Sequence, residues 1–207
     1  MDLTPLTEAI KKGSRADAVK IVKQAIDEKV PARQILDSMV AAMDDVGKRF
    51  QCNQIFVPEM LIASRAMKEG MAVLEPVLVQ AGIKPAFTAV VGTVQGDLHD
   101  IGKNLVAMMW KGANFGVVDL GTNVSPEKFV AAAKEHNAKV IGLSALLTTT
   151  MPAMKTTVDA VRAAGLTGVK IVIGGAPITN EYAKQIGADG FAPDAASAVD
   201  LVRKLVS

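Results

Sequence analysis

Several features that mark particular classes of protein are scarce or missing in this chain of 207 residues. A single cysteine, Cys52, excludes an internal disulfide and fits a reducing compartment. No apolar run approaches the length of a bilayer span, and the N-terminal residues lack the basic start and apolar core of a signal peptide. We therefore expect a cytoplasmic protein that has no membrane partner.

Charge of one sign is also lacking. The chain has 23 basic and 21 acidic residues, and no basic stripe with interleaved aromatic residues is present. A nucleic-acid partner is therefore not expected. The G-x-G-x-x-G pattern is absent too, which argues against NAD or FAD as a cofactor. Half of the residues are hydrophobic, which is enough to build a conventional core.

The first part of the chain has the periodicity of helices. Apolar residues recur at three- and four-residue spacing, and predict helices over 5–12, 17–28, 31–50 and 58–80. Pro76 should kink or end the last of these, and Ser14 with Asp17 resembles a capping box. The sequence Gly82-Ile83-Lys84-Pro85 breaks the pattern. We place a domain boundary there, with a helical domain over 1–84 and a second domain over 85–207.

The second part alternates short apolar runs with helical segments. Strands are predicted over 87–94, 116–119, 140–143, 170–173 and 190–192, and helices over 101–112, 126–136, 152–164, 181–186 and 195–205. Such alternation implies a parallel sheet covered on both faces. The fold class is thus α/β, an N-terminal helical bundle followed by a flavodoxin-like (Rossmann-like) five-stranded parallel sheet of order 2-1-3-4-5. Ligands of such sheets bind at the carboxyl ends of the strands.

The segment that follows the first predicted strand carries the most informative chemistry. His99 can offer a neutral imidazole nitrogen to a metal, while Asp97 can hold the other ring nitrogen. One histidine is a poor site for a bare ion, since zinc takes three or four protein ligands. It suits a metal that arrives with its other ligands, as in a macrocycle.

The pattern Asp-x-His-x-x-Gly, formed by Asp97, His99 and Gly102, resembles the signature of cobalamin-binding domains, where the histidine is the lower axial ligand to cobalt. The resemblance continues after later predicted strands, through 144–148, Gly174-Gly175 and 192–195. Upstream, 56–60 and 74–76 resemble the helical cap over the upper corrin face. The chain is similar to the cobalamin-binding region of methionine synthase, and more similar to the corrinoid proteins of methanol, methylamine and methoxyaromatic methyltransferase systems.

The resemblance implies cobalamin or a related corrinoid as cofactor, with His99 on cobalt. The implied cofactor-binding residues are Gly96, Asp97, Leu98, His99, Asp100, Ile101, Gly102, Ser144, Leu146, Thr148, Gly174, Gly175, Ala195, Phe56 and Met60. Asp97 would contact the histidine, and Thr150 would complete a relay with this pair. Thr150 is at the position where methionine synthase has a serine. Threonine keeps the hydroxyl but has a stiffer rotamer. By spacing alone, Asp97 or Asp100 could instead cap the next helix, and Phe56 and Met60 could be core residues.

The resemblance also implies a function. Cobalt would accept a methyl group from a substrate through one methyltransferase and pass it to a second, whose acceptor is tetrahydrofolate, coenzyme M or a similar carrier. The partners would be a substrate:corrinoid methyltransferase, a corrinoid:acceptor methyltransferase and a reductive activation protein. Because no nucleophile–base pair is visible, the chain should not be catalytic alone. The alternatives are a cobalamin-dependent sensor or regulator, and the small subunit of a cobalamin-dependent mutase.

Overall fold

The computed structural model describes residues 1–206, which form two compact units. One unit consists of residues 1–85 together with 112–114. The other consists of residues 86–111 and the chain from 115 onward. Among residues 1–206, none of the helices combines the length and the apolar character that a bilayer span requires.

The first unit contains four helices. They are α1 (Thr4–Lys11), α2 (Arg15–Asp27), α3 (Ala32–Gln51) and α4 (Val57–Gln80). Each places apolar residues on one face, and a continuous core forms where those faces meet. Its largest fully buried members are Leu6, Ile10, Ile35, Leu36, Met39, Met43, Met60 and Leu74.

The predicted helix over 58–80 is confirmed, and Pro76 does not end it, since α4 continues to Gln80. The expected capping box at the start of α2 is wrong. Ser14 precedes α2, yet its hydroxyl donates to the Asp17 carboxylate at 2.6 Å and accepts no helix amide proton. At the start of α4, the Glu59 carboxylate accepts a hydrogen bond from the backbone N–H of Phe56 at 3.0 Å.

The second unit confirms the predicted sheet. Its strands are β1 (Thr88–Thr93), β2 (Gly116–Asp119), β3 (Val140–Ser144), β4 (Lys170–Gly174) and β5 (Gly190–Phe191). All pairings are parallel, and the order is β2-β1-β3-β4-β5. The intervening helices are α5 (Ile101–Gly112), α6 (Pro126–Glu135), α7 (Met151–Ala163), α8 (Asn180–Ile186) and α9 (Ala195–Val206).

Aromatic side chains pack directly onto glycines of this sheet. A Cβ atom on Gly142 would lie 2.7 Å from the Trp110 ring, and one on Gly92 would lie 2.8 Å from the Phe129 ring. Both rings are fully buried. The absence of side chains at these two strand positions lets α5 and α6 approach the sheet closely.

Candidate functional site

Three loops meet at the carboxyl edge of the sheet. They follow β1, β2 and β3, which are neighbours in the strand order. The register pairs Thr93 with Ser144 at the ends of β1 and β3, and an isolated bridge joins Val94 to Val124 on the other side. The topology therefore brings the segment that contains His99 between the other two loops.

Asp97 lies at the centre of this edge and is fully buried. Its Oδ1 atom accepts hydrogen bonds from the backbone N–H of His99 at 3.0 Å and from the Nδ1 atom of His99 at 2.8 Å. Its Oδ2 atom accepts from the N–H groups of Leu146 at 2.7 Å and Leu147 at 3.4 Å, and from the Thr150 hydroxyl at 2.7 Å. The carboxylate thus connects the loops after β1 and β3.

These donors determine the protonation of the pair. Burial by itself would raise the pKa of Asp97, but the hydrogen bonds from the His99 and Leu146 amides, the Thr150 hydroxyl and the His99 ring outweigh it. The net effect holds the pKa of Asp97 well below its ordinary value. An ionised carboxylate only accepts hydrogen bonds, so Nδ1 of His99 must carry a proton. In the neutral ring, the lone pair is then on Nε2.

The backbone of His99 is held as firmly as its ring. The N–H group is bound by Asp97, and the carbonyl oxygen accepts a hydrogen bond from the buried Thr93 hydroxyl at 2.9 Å. The imidazole side chain is nevertheless 51% exposed. This arrangement fixes Nδ1 toward the protein and leaves Nε2 available to a ligand.

Exposed apolar side chains flank the histidine. Leu98 and Ile101 are 72% and 76% exposed, and Leu146 and Leu147 are also exposed. Large aliphatic groups in solvent on two converging loops are typical of a binding surface for a partly apolar ligand. The site therefore combines one nitrogen donor with an apolar surround.

The donor set fits a metal that brings its own equatorial ligands. In the described part of the chain, no group of three or more histidine, cysteine, aspartate and glutamate side chains is placed to hold a metal ion. A bare ion would find only one nitrogen at this edge, which is too few. A corrinoid needs a single axial base from the protein, and His99 can supply it.

The glycines predicted to lie at the site differ in what they do. A Cβ atom on Gly102 would meet nothing within 4 Å, so this position is open to an approaching ligand. A Cβ atom on Gly174 would lie 3.3 Å from the carbonyl oxygen of Ala192. Gly175 has φ +136°, and a Cβ atom there would overlap the carbonyl oxygen of Ala145. The protein's own backbone therefore requires glycine at 175, whatever else binds nearby.

The remaining predicted residues differ in their burial. Asp100 is exposed, and its carboxylate accepts a hydrogen bond from the Asn104 side chain at 3.0 Å. Ser144 is half-buried and Thr148 is exposed, both at the carboxyl edge. Ala195, at the start of α9, is buried.

The helical unit supplies the last two predicted residues. Met60 is 1% exposed and belongs to its core, as spacing alone suggested, whereas Phe56 is 65% exposed. Of the two, only Phe56 presents its side chain to solvent.

Sequence reasoning missed three residues that position the histidine, namely Thr93, Leu147 and Asn123. Thr93 was predicted only as part of a strand. Leu147 acts through its backbone amide, which residue identity does not encode. Asn123 donates its backbone N–H to the Asp97 carbonyl at 2.9 Å and accepts from Gly96 N–H through its side chain at 2.8 Å.

Comparisons with known proteins identify the family of the chain. A family model described as a B12 binding domain matches residues 87–202, and a second model with the same description matches residues 3–75. A dimethylamine corrinoid protein of Methanosarcina barkeri is 37% identical over 207 residues, which cover 99% of this chain and 97% of that protein.

Two solved structures extend the likeness to the fold. A cobalamin-binding protein from Desulfitobacterium hafniense DCB-2 matches with a TM-score of 0.84 and 30% identity, and the match covers 100% of both chains. The methanol:cobalamin methyltransferase complex MtaBC from Methanosarcina barkeri contains a chain that matches with a TM-score of 0.89 and 29% identity. That match covers 99% of this chain and 79% of the other.

A parallel sheet that presents one carboxylate-held histidine at its carboxyl edge defines a class of cofactor-binding α/β proteins. The chain belongs to the B12-binding family of corrinoid proteins. This membership confirms the predicted cofactor, cobalamin or a related corrinoid, and the predicted family.

Proposed function

We propose that this protein is a corrinoid methyl carrier. It accepts a methyl group from a substrate through one methyltransferase and delivers it to a second methyltransferase. The observation that carries the proposal is the outward-facing His99, held by buried Asp97, in a chain 37% identical to a dimethylamine corrinoid protein. That relative and the methanol methyltransferase complex favour a carrier over a sensor or a mutase subunit.

Each residue at the edge has a defined part in this function. When bound, the corrinoid supplies a cobalt centre that can accept and release the methyl group. Nε2 of His99 would hold the cobalt, and Asp97 fixes the tautomer in which that nitrogen has its lone pair. Thr150 donates to the far oxygen of Asp97 and so limits how much negative charge the carboxylate lends to the ring. Leu98, Ile101 and Leu146 provide apolar contact.

The other predicted residues have other roles in the proposed function. Ser144, Thr148 and Gly174 line the place of the cofactor's nucleotide tail, at the ends of β3 and β4. Phe56 presents an exposed aromatic side chain on the helical unit, where its backbone amide donates to the Glu59 carboxylate. None of these groups forms a nucleophile–base pair, so the protein is a subunit of a methyltransferase system and needs its partners for turnover.

The proposed partners follow from this role. A substrate:corrinoid methyltransferase delivers the methyl group, and a corrinoid:acceptor methyltransferase of tetrahydrofolate or coenzyme M type removes it. The third proposed partner is a reductive activation protein, which would keep the cofactor in its reduced state. We place the system in the cytoplasm, since the single cysteine fits a reducing compartment.

The axial ligand can be tested directly. The chain loaded with hydroxocobalamin and reduced to Co(II) should show nitrogen coupling from a protein histidine in its electron paramagnetic resonance spectrum. His99→Ala should lose this coupling while the apoprotein keeps its circular dichroism spectrum, because the His99 ring is half exposed and supports little packing. His136→Ala is the matched control, since His136 is the other histidine and is exposed. Coupling that survives in His99→Ala would assign the ligand elsewhere.

Methyl transfer needs a separate experiment. The reduced, loaded protein is incubated with a dimethylamine or methanol methyltransferase and its donor labelled in the methyl carbon. Label should become associated with the protein-bound cofactor and then leave on addition of an acceptor methyltransferase with its thiol or folate. No transfer of label with any methylamine, methanol or methoxyaromatic donor system would contradict the carrier function.

A further inference from the structure

The loop after β2 contacts the segment that leads into His99, and Asn123 makes two of these contacts. Its side-chain Oδ1 accepts a hydrogen bond from the backbone N–H of Gly96 at 2.8 Å. Its own backbone N–H donates to the carbonyl oxygen of Asp97 at 2.9 Å. Asn123 therefore binds two consecutive residues that lead into His99. It lies in the loop after β2, on one side of β1, whereas Thr150 follows β3 on the other side.

The conformation of Asn123 suits the residue type. Its φ of +52° is in the left-handed region, which asparagine enters more readily than most side chains. Gly96 also has positive φ, at +85°, so its amide points away from the usual strand or helix partners. The asparagine side chain provides the acceptor that this turned-out amide needs.

These contacts complete the support of Asp97. The loop after β3 binds the Asp97 carboxylate through Leu146 and Thr150, whereas the loop after β2 binds its backbone through Asn123. The carboxylate in turn lies 2.8 Å from Nδ1 of His99. A shift of the Asp97 backbone would therefore be passed through its carboxylate to the imidazole.

We propose that Asn123 is a positioning residue that aims His99 at the corrinoid cobalt. The inference rests on the proposed function, in which His99 is the axial ligand. Asn123 touches neither the imidazole nor the ligand position, and acts through Gly96 and Asp97. Loss of its side-chain acceptor should weaken histidine coordination without removing the histidine.

The test compares three variants loaded with hydroxocobalamin. Asn123→Gly tolerates the positive φ but lacks the acceptor, whereas Asn123→Asp keeps both the acceptor and a tolerance for this φ. Asn137→Gly is the matched control, because Asn137 has φ +46° in the same unit and follows α6, away from the histidine loop.

The readout is the Co(II)/Co(I) midpoint potential, with the electron paramagnetic resonance spectrum of the Co(II) form. Axial histidine stabilises Co(II) over Co(I), which carries no axial base. A lost hydrogen bond should lower the coordination constant about fivefold in Asn123→Gly, and the potential should then rise by about 40 mV for this one-electron couple. Asn123→Asp should be unchanged or lower, and Asn137→Gly should match wild type.

The outcomes separate the two proposals. Wild-type protein without histidine coupling would overturn the assignment of His99 and this inference with it. Wild type with coupling and an unchanged potential in Asn123→Gly would overturn the inference alone. The inference would also be overturned if the midpoint potential rose as much in Asn123→Asp or in Asn137→Gly as in Asn123→Gly. Should Asn123→Gly not fold, a raised potential in folded Asn123→Asp still decides against the acceptor role.

Discussion

The surroundings of Asp97 are satisfied only if its carboxylate is an anion. Both oxygens face donors: Oδ1 faces the backbone amide and the ring of His99, and Oδ2 faces the Leu146 amide and the Thr150 hydroxyl. A proton on either oxygen would point at another donor and leave a buried polar group without a partner. The same contacts that orient His99 therefore also contribute stability to the apoprotein.

Asp97→Asn should destabilise the apoprotein by about 3 kcal/mol at pH 7, because the amide group places N–H groups against N–H or O–H donors. A lowered folded-state pKa gives stability that is present above the unfolded-state pKa of about 3.9 and is lost as the pH falls toward the folded value. The difference between wild type and variant in the free energy of unfolding should therefore narrow below about pH 5. Urea denaturation at pH 7, 5, 4 and 3 measures it.

Asp37→Asn is the control for this prediction. Asp37 pairs with Arg33 on the exposed face of α3, where the two side chains are 57% and 66% exposed. Such a pair contributes about 0.5 kcal/mol or less. A difference for Asp97→Asn that is the same at pH 3 as at pH 7 would show that the carboxylate's charge does not contribute.

At the scale of the elements, an ion pair with a buried lysine joins the first turn of α5 to the end of β2. The Lys103 ammonium group donates to Asp119 Oδ1 and Oδ2 at 2.7 and 2.6 Å and to the Asn104 side chain at 2.7 Å. Asp119 also accepts from the backbone N–H of Gly121 at 2.9 Å. Lys103 is 3% exposed, whereas the Asp119 side chain is 33% exposed.

This difference in exposure predicts which of the two substitutions lowers the free energy of unfolding more. Asp119→Ala leaves a buried ammonium group without its counter-charge and should cost about 3–5 kcal/mol of unfolding free energy. Lys103→Met leaves a carboxylate that water can reach and should cost clearly less. Asp159→Ala, in the exposed Lys155–Asp159 pair of α7, is the control and should cost about 0.5 kcal/mol. Urea denaturation of the three variants decides the order, and equal losses for Asp119→Ala and Lys103→Met would contradict it.

Periodicity predicted the bounds of an element well where the different signals in the sequence agree. Helix α5 and strand β2 have the predicted bounds, 101–112 and 116–119, because apolar spacing and glycine breaks agree there. Helix α4 was also predicted to reach residue 80, and it continues past Pro76 because proline removes only one helical hydrogen bond. Leu74 and Leu78 on either side of it are buried, and their burial offsets that loss.

The site was predictable in its chemistry and less so in its geometry. The spacing of Asp97 and His99 predicted their contact, which the structure contains at 2.8 Å. The contribution of Asn123 depends on strand register and on a backbone turn, neither of which residue spacing encodes. The role of Gly175 at the cofactor stays a prediction, and the Ala145 carbonyl gives a separate reason for glycine there.

At the scale of the whole molecule, cofactor binding and folding are linked. A ligand that binds only the folded protein at 100 times its dissociation constant adds about 2.7 kcal/mol to the free energy of unfolding. Cobalamin contains a nucleotide tail that cobinamide lacks. Only cobalamin should therefore contact the proposed slot for this tail, which Ser144, Thr148 and Gly174 line. Because Gly175 is required by the backbone, Ser144 is the better position at which to probe this slot.

Ser144→Leu should block the slot without disturbing the buried sheet, since Ser144 is half-buried at the very end of β3. A tenfold weaker affinity for cobalamin would reduce its stabilisation by about 1.4 kcal/mol at fixed ligand concentration, while the stabilisation by cobinamide should stay as in wild type. Urea midpoints with and without each ligand, followed by circular dichroism, measure both. Thr156→Leu, which adds a similar side chain on the exposed face of α7, should change neither. Equal reductions for the two corrinoids would instead mean that leucine displaces the loop that binds Asp97, and that the tail does not lie beside Ser144.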